Sequence, residues 1–195
     1  MTVIYVRDSK SRGYLRLGVE SDGKKQDFNI SESEYREIGS PKTQDNLTRD
    51  SFDALFTADM RYRARLKALH ILSYGDNSER MLARKLKIAG INSDIISEVV
   101  REMLSLGYIN SRRQIEKLVL NEVNLHNVGP LKIIPKLVAK GYLKFEISDV
   151  IDELSARGEI DFEESKARLI ESRLGTDAED GEIKKLLYQN GYFVC

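Results

Sequence analysis

Residues 129–142 read GPLKIIPKLVAKGY, and the recurrence of this pattern along the chain decides the fold. Leu137 and Gly141 match Leu86 and Gly90, which stand 51 residues earlier without any gap. A further shift of 50 residues again brings leucine onto leucine, glycine onto glycine and tyrosine onto tyrosine. Self-similarity at a period of roughly 20–50 residues is the signature of repeat proteins. We therefore predict an internal repeat.

The matching positions also predict what each repeat contains. They are apolar residues at helical spacing together with glycines suited to helix C-termini, and they include the pairs Ile96 and Ile147, Val99 and Val150, Met103 and Leu154, Gly107 and Gly158, and Ile109 and Ile160. Each unit is predicted to hold three helices, and the third copy ends without its last helix. The predicted helices are 61–73, 79–89 and 94–106; 111–125, 130–141 and 146–157; and 162–174 and 181–190. We expect Ser78 and Ser93 to cap two of them, and Ile133, Ile134, Leu137 and Val138 to be core.

The first 31 residues follow a different pattern. β-branched, aromatic and aliphatic residues alternate with polar ones and are separated by two glycine-containing turns, which predicts three short antiparallel strands. Ser31 and Glu34 have capping-box spacing, so a short helix should follow, and the polar segment 39–50 (GSPKTQDNLTRD) is the best boundary. The prediction is a mostly α protein of tandem three-helix repeats, three units with the last truncated, behind a small N-terminal antiparallel β appendage. The predicted domains are 1–49 for the β module with its short helix, 50–109 for repeat 1, 110–158 for repeat 2 and 159–195 for the incomplete repeat 3.

Composition excludes several classes of protein. The 195 residues are 41 % apolar and 32 % charged, which is typical of a globular chain. The one cysteine, Cys195, cannot form an internal disulfide and suits a reducing compartment. No apolar run approaches the roughly 20 residues of a membrane span, and the N-terminus lacks the apolar core of a signal peptide. We expect a cytoplasmic protein with no membrane partner.

Charge is distributed unevenly although the whole chain is neutral. Residues 61–145 contain 16 basic and 7 acidic residues, and residues 146–182 contain 4 basic and 13 acidic ones. This segregation favours an anionic partner for the middle of the chain, whereas clustering of ordinary solvated helix faces is the alternative.

The candidate binding residues are basic side chains in this middle segment, many of them at i, i+4 spacing along helix faces. They are Arg61, Arg65, Arg80, Arg84, Lys85, Arg112, Arg113, Lys132, Lys136 and Lys140. Such rows suit a phosphate backbone or an acidic protein groove. No aromatic residues interleave with these helical cations, so base stacking on them is not indicated.

Catalytic signatures are missing from the sequence. His70 and His126 stand in predicted helices without metal-ligand spacing, where half-buried helix residues are the simpler interpretation. None of the motifs GxSxG, HExxH, GxxxxGK[ST] or CxxC occurs. We expect no catalytic residues, no metal and no cofactor.

Several of these motifs resemble those of the RecX family, over roughly residues 55–192. The resemblance rests on the Ala68–Ser73 segment followed by Ser78–Leu86, on Gly107-Tyr108-Ile109-Asn110, and above all on Gly129-Pro130-Leu131-Lys132-Ile133-Ile134 with Leu137 and Lys140-Gly141. It implies tandem three-helix repeats that bind in the groove of the RecA recombinase filament on DNA. It further implies modulation, with inhibition the expected direction, of the RecA ATPase and of strand exchange in homologous recombination, DNA repair and the SOS response.

The function expected from residues and resemblance together is that of a non-catalytic regulator of the RecA filament. We expect a monomer that binds single- or double-stranded DNA weakly on its own. A free-standing DNA-binding protein that uses a basic helix surface is the alternative, and a helical scaffold for another protein is a third class.

Overall fold

The computed structural model describes residues 1–175 and 178–193, and the predicted features of Cys195 lie outside them. The predicted fold class, helical repeats behind a small antiparallel sheet, is confirmed. In chain order the elements are β1 (Thr2–Asp8), β2 (Tyr14–Ser21), β3 (Lys24–Ser31), α1 (Glu32–Glu37), α2 (Arg49–Ser73), α3 (Glu79–Ile88), α4 (Ser93–Ser105), α5 (Ser111–Leu120), a π-helical turn (Asn121–Leu125), α6 (Pro130–Ala139), α7 (Lys144–Ala156), α8 (Phe162–Arg173) and α9 (Asp180–Gln189).

The sheet has the strand order β1-β2-β3 with both pairs antiparallel. Leu17 and Val19 point to one face and are buried, as the alternation of a strand requires. The pairing of β1 with β2 shifts between Val3 and Tyr5, where the strand contains a bulge. The bulge changes which face of the sheet the following residues of β1 occupy.

Helix caps agree with the sequence except at one helix. The capping box of Ser31 with Glu34 is present at the start of α1, and the Ser78 hydroxyl accepts a hydrogen bond from the Met81 N–H at 3.2 Å at the start of α3. The prediction that Ser93 caps α4 is wrong: the Asn92 side chain accepts the bond from the Ile95 N–H at 2.9 Å. Asparagine is an equally good cap, so the helix begins one residue earlier than expected.

The chain forms two compact units. The first comprises Met1–Tyr74 and Ala83–Met103, and the second comprises Gly75–Leu82 and the described residues from Leu104 onward. In the first unit Leu55 and Ala58 of α2 are buried in one core with the sheet. α2 is one continuous helix from Arg49 to Ser73. We propose domain boundaries that place the β module at 1–49 and the three repeats at 50–109, 110–158 and 159–195. These boundaries follow the internal sequence similarity, because each repeat then begins at an equivalent position.

The second unit has a core built from α5, the π-helical turn, α6 and α7. The sequence predicts one helix over 111–125, but its last turn widens to π geometry and buries Glu122 and Val123. In α6 Ile133 and Leu137 are fully buried, and Ile134 is half-buried. The prediction that Val138 is core is wrong, because its side chain is 39 % exposed on a helix that buries only a narrow stripe.

Two further observations concern the histidines and the character of the helices. His70 and His126 are exposed rather than half-buried. None of the helices in residues 1–175 and 178–193 combines the length and the apolar character that crossing a membrane requires.

The difference between Leu137 and Val138 predicts the effect of two substitutions. Leu137→Ala should lower the free energy of unfolding by about 2–5 kcal/mol, because it leaves a cavity in the core. Val138→Ala should change it by no more than about 0.5 kcal/mol, because the side chain is largely solvated. Urea denaturation followed by circular dichroism measures both values. Equal losses would show that α6 does not bury the stripe described here.

Candidate functional site

The two predicted binding cations of α2, Arg61 and Arg65, are held in ion pairs within the first unit. Arg61 Nε donates to Glu98 at 2.6 Å, and Arg61 also pairs with Glu34 at 3.2 Å. Arg65 Nε donates to Glu102 at 2.5 Å. Two of the ten predicted binding residues therefore connect α2 to α1 and α4.

Two cations of the second unit are likewise paired. Arg112 hydrogen-bonds to Glu153, and this bond lowers the pKa of the Glu153 carboxyl. Lys136 Nζ donates to Glu122 at 2.6 Å. The Glu122 side chain is only 9 % exposed, so Lys136 supplies the countercharge for a buried carboxylate.

The remaining cations fall into a different class. Five of them are exposed and form no ion pair within the described part of the chain: Arg80, Arg84, Arg113, Lys132 and Lys140. Lys85 is exposed on α3. Arg80, Arg113, Lys132 and Lys140 belong to the second unit, and Arg84 and Lys85 belong to the first.

The structure brings Arg80 and Lys140 together where the start of α3 meets the end of α6. The Ser78 hydroxyl donates to the Lys140 carbonyl at 2.7 Å. A Cβ placed on Gly141 would collide with the Ser78 hydroxyl and lie 3.1 Å from the Arg80 Cβ. We call this contact the first repeat junction, and it places two exposed cations beside each other.

The second repeat junction joins the start of α6 to the end of α9. The Gly129 N–H donates to the Asn190 carbonyl at 2.8 Å, and the Leu131 N–H donates to the Gly191 carbonyl at 3.1 Å. Gly129 and Asn190 are related to Ser78 and Lys140 by 51 and 50 residues, so the two junctions are equivalent. A Cβ on Gly191 would meet the Lys132 backbone N at 2.7 Å, which places Lys132 at this junction.

Buried tyrosine hydroxyls accompany both junctions at repeat-related positions. Tyr142 donates to Gln114 Oε1 at 3.0 Å, and the Tyr192 and Ser165 hydroxyls lie 2.7 Å apart. Gln114 and Ser165 are themselves 51 residues apart. Burial raises the pKa of both tyrosines above the ordinary value, which keeps the hydroxyls protonated and able to donate at neutral pH.

Arg113 lies apart from the junction cations. It lines a cavity of about 280 Å³ together with Asp76, Tyr108 and Lys117. Lys117 pairs with Asp76 at 3.3 Å, which leaves the Arg113 guanidinium as the uncompensated charge of this cavity. The described residues contain no group of three or more side chains able to hold a metal ion.

Comparison with known proteins finds similarity to RecX proteins. The model of the first three-helix domain of RecX matches residues 64–103. The regulatory protein RecX of Clostridioides difficile strain 630 is 29 % identical over 113 residues, which cover 58 % of this chain and 53 % of that protein. The regulatory protein RecX of Listeria monocytogenes serotype 4a is 28 % identical over 149 residues, covering 75 % of this chain and 55 % of that protein. These matches support RecX as the family of this chain.

Solved RecX structures share the fold. A crystal structure of regulatory protein RecX superposes with a TM-score of 0.75 at 20 % identity, covering 98 % of this chain and 94 % of that one. RecX from Lactobacillus salivarius superposes with a TM-score of 0.61 at 25 % identity, covering 70 % of this chain and 90 % of that one. The chain spans about half the length of the curated RecX proteins that it matches.

The pairing of Lys136 predicts that two lysines of the same helix respond differently to mutation. Lys136→Met removes the countercharge of Glu122 and should lower the free energy of unfolding by about 1–3 kcal/mol. Lys132→Met removes only an exposed charge and should cost no more than about 0.5 kcal/mol. Chemical denaturation of the two variants at neutral pH provides the measurement. If both variants are as stable as the parent, the Lys136–Glu122 pair does not stabilise the π-helical turn.

Proposed function

We propose that this chain regulates the RecA recombinase by binding the RecA filament on DNA, without catalysis of its own. Binding modulates the recombinase ATPase and strand exchange, with inhibition the expected direction, in DNA repair, recombination and the SOS response. The chain acts as a monomer in the cytoplasm and binds DNA only weakly when RecA is absent. Family membership supports the regulatory role, because the relatives above are named regulatory protein RecX.

The observation that carries the proposal is the set of exposed, unpaired cations at the two repeat junctions. Arg80 and Lys140 lie at the first junction and Lys132 lies at the second. A cation that already neutralises a carboxylate gains little by meeting a phosphate, because it must first give up its partner. These three cations have no such partner among the described residues, so their charge is available to an anionic surface.

The repetition of the junction suits a partner that is itself repetitive. The two junctions place a hydrogen bond at equivalent positions about 50 residues apart: the Ser78 hydroxyl donates to the Lys140 carbonyl in the first, and the Gly129 N–H donates to the Asn190 carbonyl in the second. Equivalent contacts on one chain can engage equivalent positions along a filament, where DNA phosphates and acidic side chains recur at regular intervals. The acidic segment 146–182 suits basic surfaces of the same filament.

Charge reversal at the two junction lysines tests the proposal. Lys132→Glu combined with Lys140→Glu should leave folding nearly unchanged, at about 0.5 kcal/mol for each exposed site. Lys136 is kept, because changing it would leave Glu122 unpaired. The double variant should bind RecA filaments on single-stranded DNA about tenfold or more weakly in co-sedimentation. If each lysine meets a phosphate, the plot of log affinity against log salt concentration should also become less steep, with a slope about 1.4 smaller in magnitude.

A matched control comes from α9. Lys184→Glu combined with Lys185→Glu makes the same change of net charge on exposed residues of the same unit. This control should reduce filament binding by less than about threefold, because it changes the net charge of the chain but removes no direct contact. The long-range effect of net charge is weakened by salt. Equal losses in the two variants would rule out the junctions as the binding surface. ATP hydrolysis that copurifies with the chain would contradict the non-catalytic role.

A further inference from the structure

The sheet of the first unit carries a layered stack on the face opposite its core. Leu17 and Val19 are buried, so Gly18 between them points to the other face. A Cβ on Gly18 would collide with the ring of Tyr5, which means that this ring lies directly against the glycine. The Arg7 guanidinium lies above the same ring, 4.6 Å from its centre. Glycine, tyrosine and arginine thus form three successive layers, and the outermost is a guanidinium.

The tyrosine layer is fixed from three strands. The Tyr5 hydroxyl donates to one carboxylate oxygen of Asp27, and Arg16 donates to the other. These two hydrogen bonds lower the pKa of Asp27, while burial and the bond to Asp27 raise the pKa of Tyr5. The carboxylate is charged and the phenol is protonated at neutral pH, so the ring is held in one orientation before any ligand arrives.

Unpaired positive charge surrounds the stack. Arg7, Lys10 and Arg12 are exposed and form no ion pair with the residues that the structure describes. A cavity of about 530 Å³ beside the stack is lined by Arg7, Lys10, Arg16 and Tyr62, among others. The Arg16 Nε atom is buried there without a hydrogen-bond partner among the described residues. The cavity therefore carries two exposed cations, Arg7 and Lys10, that form no ion pair among the described residues and can meet a phosphate.

We propose that this outer face of the sheet binds single-stranded nucleic acid, with a base stacked on the Arg7–Tyr5 layer and the adjoining phosphate held by Lys10. Guanidinium planes and aromatic rings on sheets both receive unstacked bases. A base in a duplex is already stacked on its neighbours, so the flat outer layer selects single strands. This surface is distinct from the repeat junctions, since it lies in the other unit and uses residues of β1, β2 and β3.

The test measures binding of the full-length chain to a labelled oligothymidylate of about 20 nucleotides by fluorescence anisotropy, without any recombinase. Arg7→Gln combined with Lys10→Gln should weaken binding about tenfold, the loss of one stacked base and one phosphate contact. Lys24→Gln combined with Lys42→Gln removes the same charge from exposed residues that do not belong to this outer face and should weaken binding by less than about twofold.

An abasic oligonucleotide of the same length separates base stacking from charge. The parent chain should bind the oligothymidylate more tightly than the abasic strand, and the Arg7→Gln variant should lose most of that preference. Tyr5→Phe keeps the ring and should retain the preference, which controls for the hydroxyl. Three results would each overturn the proposal. They are equal losses of affinity in the two double variants, tighter binding of duplex than of single strands, and equal affinity for the two oligonucleotides. Because RecA is absent, these outcomes do not depend on the proposed filament role.

Discussion

The close approach of main chain to main chain at the second repeat junction is the contact on which the packing of α6 against the end of α9 depends. Gly191 has a φ of +83°, a conformation that glycine adopts without strain, and its α-carbon faces the Lys132 backbone with no room for a side chain. The Gly129 N–H then reaches the Asn190 carbonyl, so the junction also pairs polar groups of two helix ends. Gly129 and Gly191 are therefore structural requirements for the close contact of α6 with the end of α9.

This architecture divides the basic residues into two kinds. Arg61, Arg65, Arg112 and Lys136 neutralise carboxylates and stabilise the packing of helices. Arg80, Lys132 and Lys140 lie at the junctions and form no ion pair with residues 1–175 or 178–193. A net charge of +9 over residues 61–145 thus overstates the charge available to a partner. Only the three junction cations, Arg80, Lys132 and Lys140, connect the repeat fold to the proposed filament binding.

The sequence predicted most of the fold because repeats reuse the same packing. Gly90, Gly141 and Gly191 all end helices with positive φ, as their shared register implied. Ion pairing was not predictable, because partners such as Arg61 and Glu98 are 37 residues apart and meet only after the helices pack. The Tyr5, Gly18 and Arg7 stack was missed for a related reason: the β-bulge after Val3 decides which face Tyr5 occupies, and alternation alone does not reveal a bulge.

The most direct test of the junction compares alanine substitutions at two glycines of positive φ. Gly158, at φ +69°, has no atom within 4 Å of an added Cβ, so Gly158→Ala should cost only the backbone strain, about 1 kcal/mol. Gly191→Ala carries the same strain and also forces α9 away from the Lys132 backbone, which should add about 1–3 kcal/mol. The measurement is the free energy of unfolding in urea. A larger loss for Gly191→Ala is the predicted result, and equal losses would contradict the claim that glycine contact holds the repeats together.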